Sequence, residues 1–269
     1  MKLTSKIVSL FVILILTVGN LYGDNNSSYN SDDFENDEEI LKIIDSYGND
    51  DYNSDNYNKN NNKNKTENNK SRKITVKKEK KEFREGTPEL TYYRKDGYLY
   101  AFDNKTDFLK AIFKLNSAGE TEGPAIIYYE DEKILSTLYL SPLGKQGYWT
   151  FYYRNGNIER KCPFYNDIEN GIRETFYSNG KIREKISFKD DIENGRTILY
   201  YENGNIRESY FYKNGKKDGE VIKYYPNGKI ALKGKLKNDI EDGSFEYYDE
   251  NGNIEKKLIF KDGKILENK

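Results

Sequence analysis

The sequence predicts an all-β fold: an elongated, open antiparallel meander built from 24-residue β-hairpin repeats, preceded by a disordered N-terminal linker. Two periodic patterns predict it. An Asn-Gly pair recurs every 24 residues between runs rich in Tyr, Ile and Phe, which is the strongest short-range signal of a hairpin. A single glycine recurs at the same period and opens six consecutive units at Gly123, Gly147, Gly171, Gly195, Gly219 and Gly243.

The first 23 residues have the pattern of a secretory signal peptide. Lys2 and Lys6 precede an apolar run at residues 7–18, which is shorter than the roughly 20 residues that a bilayer requires. We therefore expect an exported chain (periplasmic, cell-surface or secreted), with an N-terminal anchor as the alternative if the signal is not cleaved. The Asn-, Lys-, Ile- and Tyr-rich composition is typical of an AT-rich bacterial genome.

Residues 24–82 are mostly Asn, Asp, Lys and Ser, and we interpret them as a disordered linker. Eleven acids and one Lys lie in residues 24–58, whereas ten Lys or Arg and three acids lie in residues 59–82. Residues 38–45 carry apolar side chains at helical spacing and could form a short helix that docks on a partner or on the repeats. Residues 83–122 are expected to form a degenerate capping repeat, and residues 104–111 a longer loop or a helical turn within it. The repeat array then spans residues 123–269.

The turn type determines which side chains share a face. We expect each Asn-Gly pair to occupy the centre of a two-residue type I′ turn, so that Tyr153 pairs with Ile158, and likewise in every unit. In the unit that Gly123 opens, Asp131-Glu132 replaces Asn-Gly and an irregular turn is expected. The packed face is then predicted to carry Tyr129, Tyr153, Tyr177, Tyr201 and Tyr225 beside Ile134, Ile158, Ile182, Ile206, Ile230 and Ile254, followed by Leu138, Cys162, Ile186, Tyr210 and Leu258 and by Leu140, Phe164, Phe188, Tyr212, Leu236 and Phe260.

The opposite face is the candidate binding face, because it combines aromatic rings with charge. Its aromatic row is expected to lie beside Glu159, Arg183, Arg207 and Glu255, in contact with solvent. Such a row either stiffens the sheet or provides a stripe of ring platforms and basic anchors for a polymer or a protein. The candidate binding residues are Tyr128, Tyr152, Phe176, Tyr200, Tyr224, Tyr248, Lys161, Arg183, Lys185, Arg207, Lys233 and Lys257.

Catalytic and metal sites are not expected. The chain has no His, which is the commonest general base, and its single cysteine excludes a disulfide within the chain and is expected in the core. The acid pairs Asp167/Glu169, Asp191/Glu193 and Asp239/Glu241 could suggest calcium ligands or a glycosidase couple, but a polar turn is the better interpretation. A net charge of -1 gives no general attraction to nucleic acid, and no cofactor is expected.

Residues 195–219 contain a Tyr-Tyr-x-Asn-Gly-x-Ile core and the connection Lys213-Asn214-Gly215-Lys216, and in both respects resemble the MORN-repeat variant family, which includes YwqK-type antitoxin-like repeat proteins. The resemblance covers residues 123–263, with weaker cover from residue 86. It implies a single-layer β-meander without a catalytic centre that acts as an interaction or membrane-associated scaffold, or as an antitoxin-like binder of a toxin.

The expected function is therefore a non-enzymatic, exported repeat scaffold that mediates protein–protein interaction. One alternative is binding to cell-wall glycan or anionic lipid through the Tyr/Lys face. Another is an antitoxin or immunity role against a toxin partner. A third is a structural sheet that pairs edge to edge.

Overall fold

The computed structural model describes residues 85–86 and 90–268. Every described element is a β-strand or a turn, so no helix capable of crossing a bilayer occurs in this part of the chain. The predicted signal peptide (1–23), the linker (24–82) and the apolar segment at residues 38–45 lie outside the described residues. The described residues divide into two compact units, the first ending at Gly144 and the second beginning at Lys145.

The first unit is an antiparallel meander in which consecutive strands pair. Ile126 and Ile127 point to opposite faces of their strand, yet both are buried, so the sheet of this unit is covered on both faces. Between two of its strands, Asp103 accepts hydrogen bonds from the backbone N–H groups of Lys105 and Thr106 (both 2.9 Å), so the predicted loop or helical turn is a side-chain-capped turn. The strands are β1 (Glu85–Gly86), β2 (Leu90–Lys95), β3 (Tyr98–Asp103), β4 (Leu109–Leu115), β5 (Thr121–Tyr128) and β6 (Ile134–Ser141).

The second unit, the repeat array, is also an antiparallel meander, and its sheet is open within the described residues. The predicted all-β hairpin meander is confirmed here. The short strands β9 and β16 are the first parts of repeat strands that Asn170 and Asp242 interrupt. The strands are β7 (Gly144–Tyr152), β8 (Ile158–Tyr165), β9 (Ile168–Glu169), β10 (Gly171–Phe176), β11 (Ile182–Lys189), β12 (Ile192–Tyr200), β13 (Ile206–Lys213), β14 (Lys216–Tyr224), β15 (Ile230–Lys237), β16 (Ile240–Glu241), β17 (Gly243–Tyr248), β18 (Ile254–Lys261) and β19 (Lys264–Asn268).

The Asn-Gly pairs that recur every 24 residues, from Asn155-Gly156 to Asn251-Gly252, do not form the predicted two-residue turns. In the first of them, Gly156 N–H donates to Tyr153 O and Tyr153 N–H donates to Asn157 O, both at 2.8 Å. Gly156 has a φ of +86°, but Asn155 is not in the left-handed region. The loop is therefore three residues long, Arg154 to Gly156, with the glycine in the left-handed position of a G1 bulge. The prediction of a type I′ turn at these positions was wrong.

The expected irregular turn at Asp131-Glu132 has this same geometry. Glu132 N–H donates to Tyr129 O at 3.1 Å, and Tyr129 N–H donates to Lys133 O at 2.8 Å. Glu132 occupies the glycine position with a φ of +63°. The hydrogen bonds of the loop are thus kept, at the cost of backbone strain in a residue with a Cβ.

Two-residue turns do occur, but in the connections between hairpins. Asn166 and Asp167 have φ values of +52° and +67°, and Tyr165 pairs directly with Ile168 across them. This is the type I′ geometry. The same geometry recurs at Asp190-Asp191, Asn214-Gly215, Asn238-Asp239 and Asp262-Gly263.

The longer loop moves the isoleucine row to the other face. Phe151 pairs with Arg160, but Tyr152 pairs with Ile158, so Glu159 is skipped in the register. A one-residue slip reverses the face of a side chain, because strand side chains alternate. Ile158 therefore lies beside Tyr152, and the predicted pair of Ile158 with Tyr153 on the packed face was wrong. Beyond the bulge the predicted register holds, as Cys162 pairs with Trp149 and Phe164 with Gly147.

The glycine that opens each unit marks a second irregularity. Between Ile186 and Phe188 the register shifts, because β12 carries extra residues around Gly195. Gly195 has a φ of +115°, and a Cβ there would lie 2.9 Å from the Cβ of Ser187. Both the conformation and the close approach require glycine.

Candidate interaction surface of the repeat array

One face of the array, here called the packed face, forms its core. It carries Trp149, Cys162, Ile186, Tyr210 and Leu258, all buried. These residues, with the Phe164, Phe188, Tyr212, Leu236 and Phe260 row, confirm the predicted packed rows of this unit beyond the bulge. Burial raises the pKa of the Cys162 thiol, which keeps it protonated and unreactive at neutral pH.

A buried ion pair interrupts the apolar packed face. Arg173 donates from Nε to Glu169 Oε1 at 2.7 Å and from its second nitrogen to Oε2, while its guanidinium lies 4.1 Å from the ring centroid of Phe188. Only 6% of Glu169 is exposed, so its carboxylate depends on this bidentate partner for charge compensation.

At the three-residue-loop edge, each unit is hydrogen-bonded to the next by a tyrosine. Tyr153 donates from its hydroxyl to Phe176 O at 2.7 Å. We call Tyr153, Tyr177, Tyr201 and Tyr225 the tyrosine ladder, because each one bonds the carbonyl 23 residues further on. The loop asparagines add to it, since Asn203 and Asn205 both donate to Pro226 O at 2.8 Å. These tyrosines, which were predicted as core residues of the packed face, are half-buried and bridge consecutive units.

At the two-residue-turn edge, the backbone makes the corresponding bonds. Asp191 N–H donates to Glu169 O at 3.0 Å, and Asp191 Oδ1 accepts from Glu169 N–H at 2.7 Å. Asp167 and Asp239 make the same pair of bonds with Lys145 and Lys217. These are the acids considered as calcium ligands. They are used as backbone acceptors, and the described residues contain no group of three potential metal ligands.

The other face, here called the lysine face, has a central row of paired residues that includes Lys161, Glu174, Lys185, Lys233 and Lys257. Three of its lysines are ion-paired with carboxylates on the same face: Lys185 with Glu174 (2.9 Å), Lys233 with Glu220 (3.1 Å) and Lys257 with Glu246 (2.7 Å). Three of the six predicted basic anchors are therefore neutralised within the sheet.

The predicted aromatic row is less exposed to solvent than expected. Tyr128 lies in the core of the first unit and is 3% exposed; Tyr152, in the array, is also buried. Phe176, Tyr200 and Tyr224 are half-buried, because each pairs with an isoleucine instead of a charged residue. Tyr248 is half-buried too, and a hydrogen bond from its hydroxyl to Glu246 (2.7 Å) raises its pKa.

The charged neighbours expected across the hairpins are displaced by the same bulge. Arg183, Arg207 and Glu255 are skipped in the register and exposed, and Glu159 is half-buried. They do not flank the aromatic row. Whether the rings or these residues bind a ligand stays a prediction.

Sequence reasoning missed a second row on the lysine face, here called the turn-adjacent row, which consists of the residue before and the residue after each two-residue turn. All ten side chains are exposed, and none is acidic. The signal was visible, because four of the lysines recur every 24 residues, as the glycines do. The row consists of Tyr165, Ile168, Lys189, Ile192, Lys213, Lys216, Lys237, Ile240, Lys261 and Lys264.

Comparison with known proteins supports the family predicted from the sequence. A search among curated proteins found no match to the chain. A family model described as "MORN repeat variant" matches five consecutive segments, residues 145–167, 169–190, 193–214, 217–238 and 241–262. Each segment ends within a two-residue turn. Repeats of this family are generally protein-binding or membrane-binding modules. The array of residues 145–262 is accordingly identified as a run of MORN repeat variants.

Proposed function

We propose that this chain is a non-enzymatic, exported scaffold whose repeat array binds a protein partner. The observation that carries the proposal is the turn-adjacent row, which presents exposed apolar and cationic side chains along one margin of a sheet. Both edges of that sheet are hydrogen-bonded from unit to unit, so the row is pre-organised for binding. Pre-organisation lowers the entropic cost of association.

The way in which the reactive groups are used supports the non-enzymatic part of the proposal. Asp167, Asp191 and Asp239 accept backbone hydrogen bonds, and Glu169 is held by Arg173. The thiol of Cys162 is buried in the core. Export rests on the sequence alone, through the basic and apolar pattern of residues 1–23.

A membrane or a glycan is the alternative partner for the same face. The lysines of the turn-adjacent row favour an anionic lipid surface over a neutral glycan. Ring platforms for a sugar are less favoured, because the aromatic row is half-buried or buried along the array. An antitoxin-like role would be a special case of protein binding, with a toxin as the partner.

Photo-crosslinking from defined positions tests the proposal. A crosslinkable residue placed at Ile172 or Ile192 on the lysine face is expected to capture one defined protein in the native compartment. Placement at the exposed loop residues Glu202 or Glu250 is the control and is expected to capture none of it. The captured protein, once purified, must bind the purified chain saturably. If no captured protein does so, the proposal fails.

A further inference from the structure

We infer that the turn-adjacent row binds an extended acidic peptide segment that also carries apolar side chains. This inference rests on the proposed function and specifies the chemistry of the partner. The row combines cationic and apolar side chains, and its first three pairs are apolar, mixed and cationic: Tyr165 opposite Ile168, Lys189 opposite Ile192, and Lys213 opposite Lys216. The pattern continues with Lys237 opposite Ile240 and with Lys261 opposite Lys264.

The spacing of the row fits an extended chain. Adjacent strands lie about 4.8 Å apart, so equivalent positions of successive units are about 10 Å apart. Three residues of an extended peptide span about the same distance. An acidic residue at every third position, with apolar residues between, would therefore meet one unit after another along the row.

The charges near the row leave its lysines available. Within the described part of the chain, Lys189, Lys213, Lys216, Lys237 and Lys264 form no ion pair, whereas Lys261 pairs with Asp242 at 2.8 Å.

The acids of the adjacent turns are mostly engaged elsewhere. Asp167, Asp191 and Asp239 accept backbone hydrogen bonds, and Asp190 accepts one from Asn170 at 3.2 Å. Asp262 contributes a negative charge beside Lys261. The most favourable cationic stretch therefore runs from Lys189 to Lys237.

The geometry favours a peptide over a membrane surface. A membrane lying flat on this face would also cover the central row, where Glu174 and Glu246 are paired with lysines. Covering these carboxylates would desolvate existing ion pairs and bring acids toward an anionic surface. A narrow strand that follows the margin avoids them.

Binding of a synthetic peptide to the full-length chain tests the inference. The probe is a fluorescent peptide of repeated Glu-Ile-Ser triplets, compared with peptides of Lys-Ile-Ser and Glu-Ser-Ser triplets. The disrupting variant is Lys213→Glu/Lys216→Glu/Lys237→Glu, at three exposed positions of the row. The matched control is Lys105→Glu/Lys223→Glu/Lys256→Glu, which makes the same charge change at exposed positions outside the row.

We expect saturable binding of the Glu-Ile-Ser peptide that weakens about tenfold or more in the disrupting variant and less than about twofold in the control. The Glu-Ser-Ser peptide should bind several-fold more weakly, and the Lys-Ile-Ser peptide should not bind. Equal losses in the two variants, or equal binding of the basic peptide, would overturn the inference. So would loss of binding to phosphatidylglycerol vesicles in the disrupting variant with peptide binding unchanged.

Residues 24–58 of the chain are acidic, as the proposed partner is. A variant that lacks these residues therefore provides a further test. Unchanged or tighter peptide binding after their deletion supports the row as the site, and tighter binding identifies these residues as a competitor. Binding that requires these residues would overturn the inference. If the crosslinked protein partner still binds the disrupting variant while the peptide does not bind the parent chain, the inference fails and the proposed function stands.

Discussion

Two Asn-Gly pairs within ten residues or so of each other adopt different turns at opposite edges of the same sheet. Asn203-Gly204 belongs to a three-residue loop, in which only the glycine is left-handed, with a φ of +98°. Asn214-Gly215 forms a two-residue turn with φ values of +51° and +78°. The dipeptide therefore does not determine the turn, because asparagine tolerates both conformations.

The difference lies in what each edge bonds to. At the loop edge, side chains reach forward to the next unit, as Tyr201 does to Tyr224 O at 2.7 Å. At the turn edge, backbone groups reach back, as Gly215 N–H does to Glu193 O at 2.9 Å. Both edges thus join each unit to its neighbour at the 24-residue period.

The largest effect is expected where the turn edge meets the core. Arg173→Met leaves the carboxylate of Glu169 buried without its partner and should lower the free energy of unfolding by about 3 kcal/mol. Urea unfolding followed by circular dichroism measures this. The double variant Glu169→Gln/Arg173→Met removes the uncompensated charge and should recover most of the loss. A single variant as stable as the parent would contradict the account.

The next effect isolates one bond of the turn edge. Asp191→Ala removes the acceptor of Glu169 N–H and places alanine in a left-handed conformation (φ +64°). Together these changes should lower the free energy of unfolding by about 2 kcal/mol. Asp191→Asn keeps both an oxygen acceptor and tolerance of that conformation, and should cost less than half as much. Equal losses in the urea midpoint for the two variants would show that the carboxylate oxygen is not an inter-unit acceptor.

The loop edge offers the corresponding test with a neutral donor. Tyr201→Phe removes only the hydroxyl that bonds Tyr224 O, and should cost about 1 kcal/mol in chemical unfolding. Tyr165→Phe is the matched control, because that ring is 63% exposed and lies outside the tyrosine ladder. The ladder has no energetic role if the two variants are equally stable.

A stabilising change is expected at the loop where glycine is missing. Glu132→Gly relieves the left-handed strain at φ +63° and should raise the free energy of unfolding by about 1 kcal/mol. A higher melting temperature would measure this gain. Gly204→Ala is the reverse test, because no atom lies within 4 Å of the added Cβ and only backbone strain is introduced. It should cost a similar amount. A loss of stability in Glu132→Gly would contradict the loop geometry.

The smallest effect concerns pH at the last loop, where Asp249 occupies the ladder-tyrosine position. Hydrogen bonds from Asn253 and from the backbone of the loop lower its pKa. A carboxyl whose pKa is lower in the folded state stabilises the fold above its unfolded value of about 3.9 and loses that contribution as the pH falls through the folded value.

We therefore expect the stability advantage of the parent chain over Asp249→Asn to be constant from neutral pH to about pH 4, and to shrink below it. Thermal unfolding of both chains across this range measures the difference. An advantage that grows on acidification would give the wrong sign.

Much of the fold could be predicted from residues alone. The 24-residue period, the hairpins and the packed row through Cys162, Ile186 and Tyr210 follow from spacing and apolar alternation. The face of the isoleucine row could not be predicted, since it depends on one skipped residue in each strand, such as Glu159. Local sequence does not specify that bulge, which accompanies the longer loop.

The surface proposed from the structure lies on the face that the sequence suggested, but in a different row. Rings such as Tyr200 were expected in solvent because charged neighbours were assigned to them, and the shifted register replaced those neighbours with isoleucine. The turn-adjacent row was missed because the connections were treated as polar spacers. The recurrence of Lys189, Lys213, Lys237 and Lys261 shows that such spacers can carry a pattern of their own.

Amide hydrogen exchange tests most directly whether the units are bonded to one another at their edges. The account predicts that the turn amides of Asp167, Asp191, Gly215, Asp239 and Gly263 exchange as slowly as amides at strand centres, because each donates to the preceding unit. Exchange of these amides at the rate of an unstructured turn, while the strand centres stay protected, would contradict it.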